Sequence, residues 1–256
     1  MTTLQGRHAV ITGGGSGIGL ATAARLQAEG ARLTLMGRTG ERLERARERL
    51  SGGEVHIALC DVTDADRIAG AFEAARRTAP VDILINNAGA AEAAPFLKTS
   101  PELWRRMLDV NLTGAFLCSR AVLEHMRYAE FGRIVNIAST AGVKGYAYVS
   151  AYVAAKHGLV GLTRALALEF ARTPVTVNAV CPGYTQTGLI ERSIDQITEK
   201  TGRSREEALD EFRRVNPQGR LTQPEEAAEA VAWLCAPESR GVTGQAIVVA
   251  GGEVMP

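Results

Sequence analysis

The stretch Ala9-Val10-Ile11-Thr12-Gly13-Gly14-Gly15-Ser16-Gly17-Ile18-Gly19 decides the fold. A short apolar run passes straight into a glycine-rich loop, and a helical pattern follows to about Glu29, ending at Gly30. Glycines at 13, 17 and 19 of such a junction let backbone amides approach a pyrophosphate at the positive end of a helix. Glycines alone would also suit a plain tight turn. Their place at the first strand-to-helix crossover favours a dinucleotide site.

The alternation continues almost to the end of the chain. Strand-like runs at 32–36, 55–60, 83–85, 133–138, 175–180 and 246–249 are separated by helical patterns, notably 41–50, 64–78, a long helix after Ser100, 151–170, and one opened by Pro224. Short apolar strands joined by helices predict an α/β fold, a doubly wound Rossmann-type parallel sheet of about seven strands with helices on both faces. No linker or repeat interrupts residues 1–256, so they read as one domain.

Composition narrows the function. Hydrophobic residues make up 46% and charged ones 22%, with a formal net charge of +1, so no global field recruits nucleic acid or an anionic membrane. Residues 1–4 lack the basic start and apolar core of a secretory leader, and no run of ~18 apolar residues reads as a transmembrane span. A cytoplasmic location is expected. Cys60, Cys118, Cys181 and Cys235 have no C-x-x-C spacing and read as free thiols; His56, His125 and His157 have no metal spacing. No metal is expected.

Chemistry is carried by Ser139, Tyr152 and Lys156. Tyr152 and Lys156 lie four residues apart at the start of a helix and share a face, so the ammonium is expected to lower the phenol below its reference pKa of ~10. Ser139 ends a strand and places a hydroxyl where it could hold a carbonyl oxygen beside that phenol. Asp61, ending the third strand, can accept the adenine amino hydrogens, with Asp64 better placed to cap the next helix. Asn86-Asn87-Ala88-Gly89 ends the fourth strand at the same edge of the sheet. After the second strand come Gly37 and Arg38 instead of an acid, which leaves room and a bidentate cation for a 2′-phosphate. NADP is therefore favoured over NAD, although Arg38 would also suit a solvated first helical turn.

These motifs together resemble the short-chain dehydrogenase/reductase family, across essentially the whole chain. Residues 12–19 match its T-G-x-x-x-G-x-G, residues 86–89 its N-N-A-G, and Pro182-Gly183 the segment covering the nicotinamide. The resemblance implies that Tyr152 is the general acid–base, Lys156 its partner and a ribose ligand, and Ser139 the substrate-oxygen ligand. It also implies that the backbone of Asn111 holds a water linking the lysine to solvent. The implied cofactor contacts are Thr12, Gly13, Gly15, Ser16, Gly17, Ile18, Gly19, Arg38, Asp61, Val62, Asn87, Ala88, Gly89, Tyr152, Lys156, Pro182, Gly183, Thr185 and Thr187. Ala250 departs from the aspartate that many members carry before the Gly251-Gly252 pair.

Substrate choice is expected from residues 184–216, a two-helix lid with Leu189, Ile190, Ile194 and Ile197 in one stripe. The overall pattern is similar to 3-oxoacyl thioester reductases and polyketide ketoreductases, and the lid to 3-hydroxyacyl dehydrogenases. Glu130 and Thr173 stand where the carrier-protein branch has arginines, which implies a free or CoA-linked substrate. Simple or cyclic ketones, sugars and steroids are the alternative, and a catalytically silent dinucleotide sensor a further one. Tyr146 and Tyr148 either line the substrate mouth or merely pack. Leu159, Leu162, Leu166 and Phe170, with Val153, Val160 and Ala167, exceed what covering a sheet requires, as does the helix bearing Leu103, Met107, Leu108, Leu112, Phe116 and Leu117. A homotetramer is expected, with a dimer as fallback.

Overall fold

The computed structural model describes residues 3–50 and 52–255; Met1 and Thr2, read above for a leader, lie outside them. Among the described residues seven strands form one parallel sheet in the order β3-β2-β1-β4-β5-β6-β7. They are β1 (His8–Thr12), β2 (Arg32–Gly37), β3 (Val55–Leu59), β4 (Ile83–Asn86), β5 (Gly132–Ile137), β6 (Val175–Pro182) and β7 (Ala246–Val249). Among the described residues nine α-helices accompany them: α1 (Gly17–Ala28), α2 (Gly40–Glu48), α3 (Ala65–Thr78), α4 (Pro101–Leu108), α5 (Gly114–Met126), α6 (Ser150–Glu169), α7 (Gly188–Thr201), α8 (Arg205–Val215) and α9 (Pro224–Cys235).

Side chains of successive strand residues point to opposite faces. Ala9, Ile11, Ile83, Ile85, Val135 and Ile137 join the layer that holds Ala23 and Leu26 of α1 and Val231 of α9. Val10, Leu84 and Ile134 join the opposite layer with Phe72 of α3 and Cys118 and Val122 of α5. Both faces being covered explains why the strands read as apolar runs. Local signals end the helices as expected: Asp64 caps α3 by accepting from the Asp66 and Arg67 amides, and Ser100 caps α4, which Pro101 opens.

Helical backbone runs from Pro101 to Met126, as the sequence predicts, with a π-helical turn over Asp109–Thr113 between α4 and α5. One expectation needs correction: the apolar surplus is smaller than its pattern suggests. Leu103 and Met107 pack on Ala151 within the same chain, and Leu159, Val160 and Ala167 are buried. The apolar side chains left exposed on these helices include Trp104, Phe116 and Leu168, the last at 81%.

Candidate active site

Strand order reverses between β1 and β4, and such a switch point opens a crevice at the C-terminal ends of the strands. Thr12 locks the two flanking loops together. Its Oγ1 accepts the amides of Asn87 and Ala88 at 3.0 and 3.1 Å and donates to the Ile85 carbonyl at 3.3 Å. The Asn87 amide nitrogen returns bonds to the carbonyls of Thr12 and Gly13 at 3.0 and 3.1 Å. A Cβ at Gly19 would lie 2.5 Å from both that nitrogen and the Gly13 oxygen, so only glycine fits. Thr187 lies against Gly17, where a Cβ would meet its methyl group at 3.1 Å. A backbone cradle this tight, at the N-terminus of α1, fits the diphosphate of a dinucleotide. A cavity of about 480 Å³ adjoins it, walled by Gly17, Leu20, Gln186, Thr187 and Glu191 among others.

At the adenosine end, Gly37 closes β2 and Arg38 is exposed. Asp61 accepts the Thr63 amide and hydroxyl at 3.0 and 2.8 Å. Burial pushes its carboxyl up, but those bonds and the Arg38 cation outweigh burial and hold it below the usual range. Val62 is buried beside Gly114, where an added Cβ would meet its carbonyl oxygen at 2.7 Å. The sequence reading missed Arg42, whose side-chain stem lies 3.0 Å from where a Cβ on Gly15 would sit. Arg42 lies in the first turn of α2, just after Arg38 and the N-cap Thr39.

The structure brings Ser139, Tyr152 and Lys156 together. Ser139 follows β5, with its Oγ accepting the Ala141 amide at 3.1 Å and hydrogen-bonded to the Tyr152 phenol. Tyr152 sits in the first turn of α6. Just before that helix, Tyr148 holds a left-handed φ of 67°, and its carbonyl accepts the Ala94 amide at 2.8 Å. Strain of this kind in a non-glycine residue persists where neighbours fix it. Lys156 is 4% exposed and donates to the Ile137 carbonyl at 2.8 Å, its Nζ 5.7 Å from the Tyr152 ring centroid.

This geometry overturns the expected lowering of the phenol. Burial raises Tyr152 above its ordinary value, and the Ser139 bond only partly offsets it. The ammonium faces the ring and the Ile137 carbonyl, so burial prevails, and burial also pushes Lys156 down to about 8. Asn111 lies in the π turn, with its side chain tied to the Ala90 carbonyl at 2.8 Å and the Met107 carbonyl at 3.0 Å. A π turn takes a backbone carbonyl out of the regular ladder, which suits the backbone role that the resemblance implies. Pro182 ends β6, and Thr185 is buried and donates to the Gly183 carbonyl at 2.9 Å.

Three aromatic rings cluster within electrostatic reach of Tyr152. Tyr146 meets Tyr184 edge-on with centroids 6.0 Å apart, and Tyr184 meets Phe212 of α8 at 4.8 Å. Burial pushes the Tyr184 phenol up to about 12, with the field of Glu253 next in effect. Sequence reasoning named the segment but not Tyr184, Phe212 or Glu253, which no spacing connects. Of the expected stripe on α7, Ile190 and Ile194 are buried with Ala208 and Leu221, while Leu189 is only partly covered.

A switch-point cradle beside a Ser–Tyr–Lys cluster defines a nicotinamide-dependent oxidoreductase of ketones and secondary alcohols. A family model described as short chain dehydrogenase matches residues 7–198, and the chain belongs to that family. It is 43% identical, over 95% of its length and 92% of the relative's, to a Streptomyces violaceoruber protein bearing the name of a granaticin polyketide synthase ketoacyl reductase. It is 36% identical, over 98% and 99%, to D-beta-hydroxybutyrate dehydrogenase of Cupriavidus necator. Among solved structures, a Phe-to-Trp variant of actinorhodin polyketide ketoreductase crystallised with NADPH superposes with a TM-score of 0.93 at 41% identity, covering 96% of this chain and 97% of that one. Among the described residues no helix is long and apolar enough to cross a membrane.

Proposed function

We propose that this enzyme uses NADP(H) to interconvert a 3-oxoacyl and a 3-hydroxyacyl compound, as the CoA thioester or the free acid. The observation that carries the cofactor choice is Gly37-Arg38 at the end of β2, with Arg42 beside the glycine loop. Thr12 to Gly19, Asn87 to Gly89, Lys156, Thr185 and Thr187 would hold the dinucleotide, which supplies the hydride when bound. Tyr152, kept protonated by burial, gives its proton to the carbonyl oxygen, while Ser139 orients that oxygen. Lys156 sets the field around the phenol, and the Asn111 turn connects the lysine to solvent.

A second reading, reduction of a cyclic ketone, is favoured by the three-ring wall, since flat apolar faces suit ring substrates. Steady-state assays with acetoacetyl-CoA, acetoacetate, a β-keto ester and α-tetralone separate the two. Preference for the thioester or acid supports the first reading, and preference for the bicyclic ketone replaces it. Replacing Gly37 by Asp together with Arg38→Ser should shift kcat/KM toward NAD by about one to two decades, because a charge-assisted phosphate contact is worth ~1.5–3 kcal/mol. An unmodified enzyme that prefers NADH would refute the Arg38 reading.

The α7–α8 pair is proposed as the lid of a single catalytic domain. A cytoplasmic homotetramer remains the proposed assembly, using Phe116 and Leu168 in one interface and a second near β7. Light scattering giving a stable monomer with full activity would refute it.

A further inference from the structure

Near the end of the chain, the Glu253 side chain is only 1% exposed. Its Oε1 accepts from the Tyr146 hydroxyl and pairs with Lys144 at 3.0 Å. Its Oε2 is buried without a hydrogen-bond partner, close against Gly183. The Tyr146 hydroxyl also bonds Thr140 Oγ1 at 2.7 Å, one residue from Ser139. A carboxyl group so placed is unfavourable for folding alone, because a buried, half-satisfied polar group opposes stability.

What it joins is informative. The Gly251-Gly252 turn carries Glu253, and a Cβ at Gly251 would fall 2.1 Å from Asn216 Oδ1, at the C-terminal end of α8. The same tail therefore touches the end of the proposed lid and the loop that leads into Tyr152. Between them stands the wall of Tyr146, Tyr184 and Phe212.

We propose that Glu253 is a positioning residue for the ketone: through Tyr146 and Lys144 it fixes the Tyr146 ring, and with it the wall against which the substrate lies. Its role rests on the ketone-reducing reading of the site. Glu253 touches none of the reacting atoms, so its effect falls on substrate binding.

The test compares Tyr146→Phe, Glu253→Ala and the double variant with acetoacetyl-CoA and α-tetralone as probes. Each single change should raise KM for the reduced probe about five- to tenfold, the loss expected for an ordinary net hydrogen bond. The rate kcat and the NADPH dissociation constant should stay within about twofold, and the double variant should be no worse than either single one. Glu253→Gln, which keeps an acceptor for Tyr146, should recover most of the KM. Unchanged KM, additive losses, or a joint fall of kcat, cofactor affinity and melting temperature would overturn the proposal. If Glu253→Ala does not fold, Tyr146→Phe and the half-exposed Lys144→Met carry the same comparison. If the unmodified enzyme reduces neither probe, the substrate reading fails separately. Hydrogen exchange in the NADPH complex then decides: Tyr146→Phe should speed exchange over residues 140–148 and leave β1 unchanged, and no difference would refute the link.

Discussion

The two sides of the crevice are built in different ways. The dinucleotide side, from β1 to β4, is mostly backbone: two loops clasped by Thr12 and Asn87, with glycine where a Cβ would collide. The proposed substrate side is side chains drawn from four separate segments, Thr140 and Tyr146, Tyr184, Phe212, and Glu253. A backbone cradle depends on main-chain geometry, whereas a wall of dispersed side chains can change one residue at a time. The difference separates cofactor from substrate, and substitutions on each side should fall on different kinetic constants.

The largest effect is expected where the sides meet. Tyr152→Phe should lower kcat by roughly 10²- to 10⁴-fold, the usual contribution of a positioned proton donor, while NADPH affinity stays within a few-fold. Stopped-flow absorbance and a fluorescence titration measure the two quantities. Retained turnover would remove Tyr152 from the mechanism.

A change confined to the cradle comes next. Gly19→Ala forces a methyl group against Asn87 and the Gly13 carbonyl, so NADPH affinity should drop by about tenfold or more, with little change in KM for the ketone at saturating cofactor. Calorimetric titration reads it directly, and unaltered affinity would mean that the loops are looser than their bonds imply. On the other side, Phe212→Ala removes one ring of the wall and should raise the ketone KM only a few-fold, leaving the NADPH constant alone. A cofactor effect from Phe212→Ala would break the division between the two sides.

The smallest effect is a pH dependence. The Lys156 amine, held at about 8, lies below its ordinary value of 10.5. Between these values the unfolded chain binds the extra proton, so this group's contribution to stability rises with pH through that window and is at its least below about pH 8. Activity has the opposite sign. Reductive kcat/KM should be level through neutral pH and decline above about pH 8, as Lys156 loses its charge while the raised Tyr152 phenol keeps its proton. A profile level to pH 10 would show that Lys156 titrates elsewhere.

The sheet was legible because each strand is a short apolar run closed by a turn, and because Asp64, Ser100 and Pro101 mark helix starts. The cradle was legible for a related reason: its contacts are local and demand glycine at fixed spacing. Tyr152 and Lys156 could be paired by helical spacing, but the direction of the Tyr152 shift could not. Spacing gives proximity, whereas burial, only partly offset by the Ser139 bond, sets the direction of the shift. The π turn at Asn111 escaped notice because its pattern is that of an ordinary helix. Glu253 was illegible for a further reason, since it lies 107 residues from Tyr146 and no periodicity links them.

The most direct test of the account follows the purified enzyme with NADPH and with NADH across thioester, keto-ester and cyclic ketone probes, scoring both coenzyme consumed and alcohol formed. The account predicts one secondary alcohol per NADPH oxidised for at least one probe class, and kcat/KM for NADPH about one to two decades above that for NADH. Tight NADPH binding without turnover on any probe, or a preference for NADH, would contradict it.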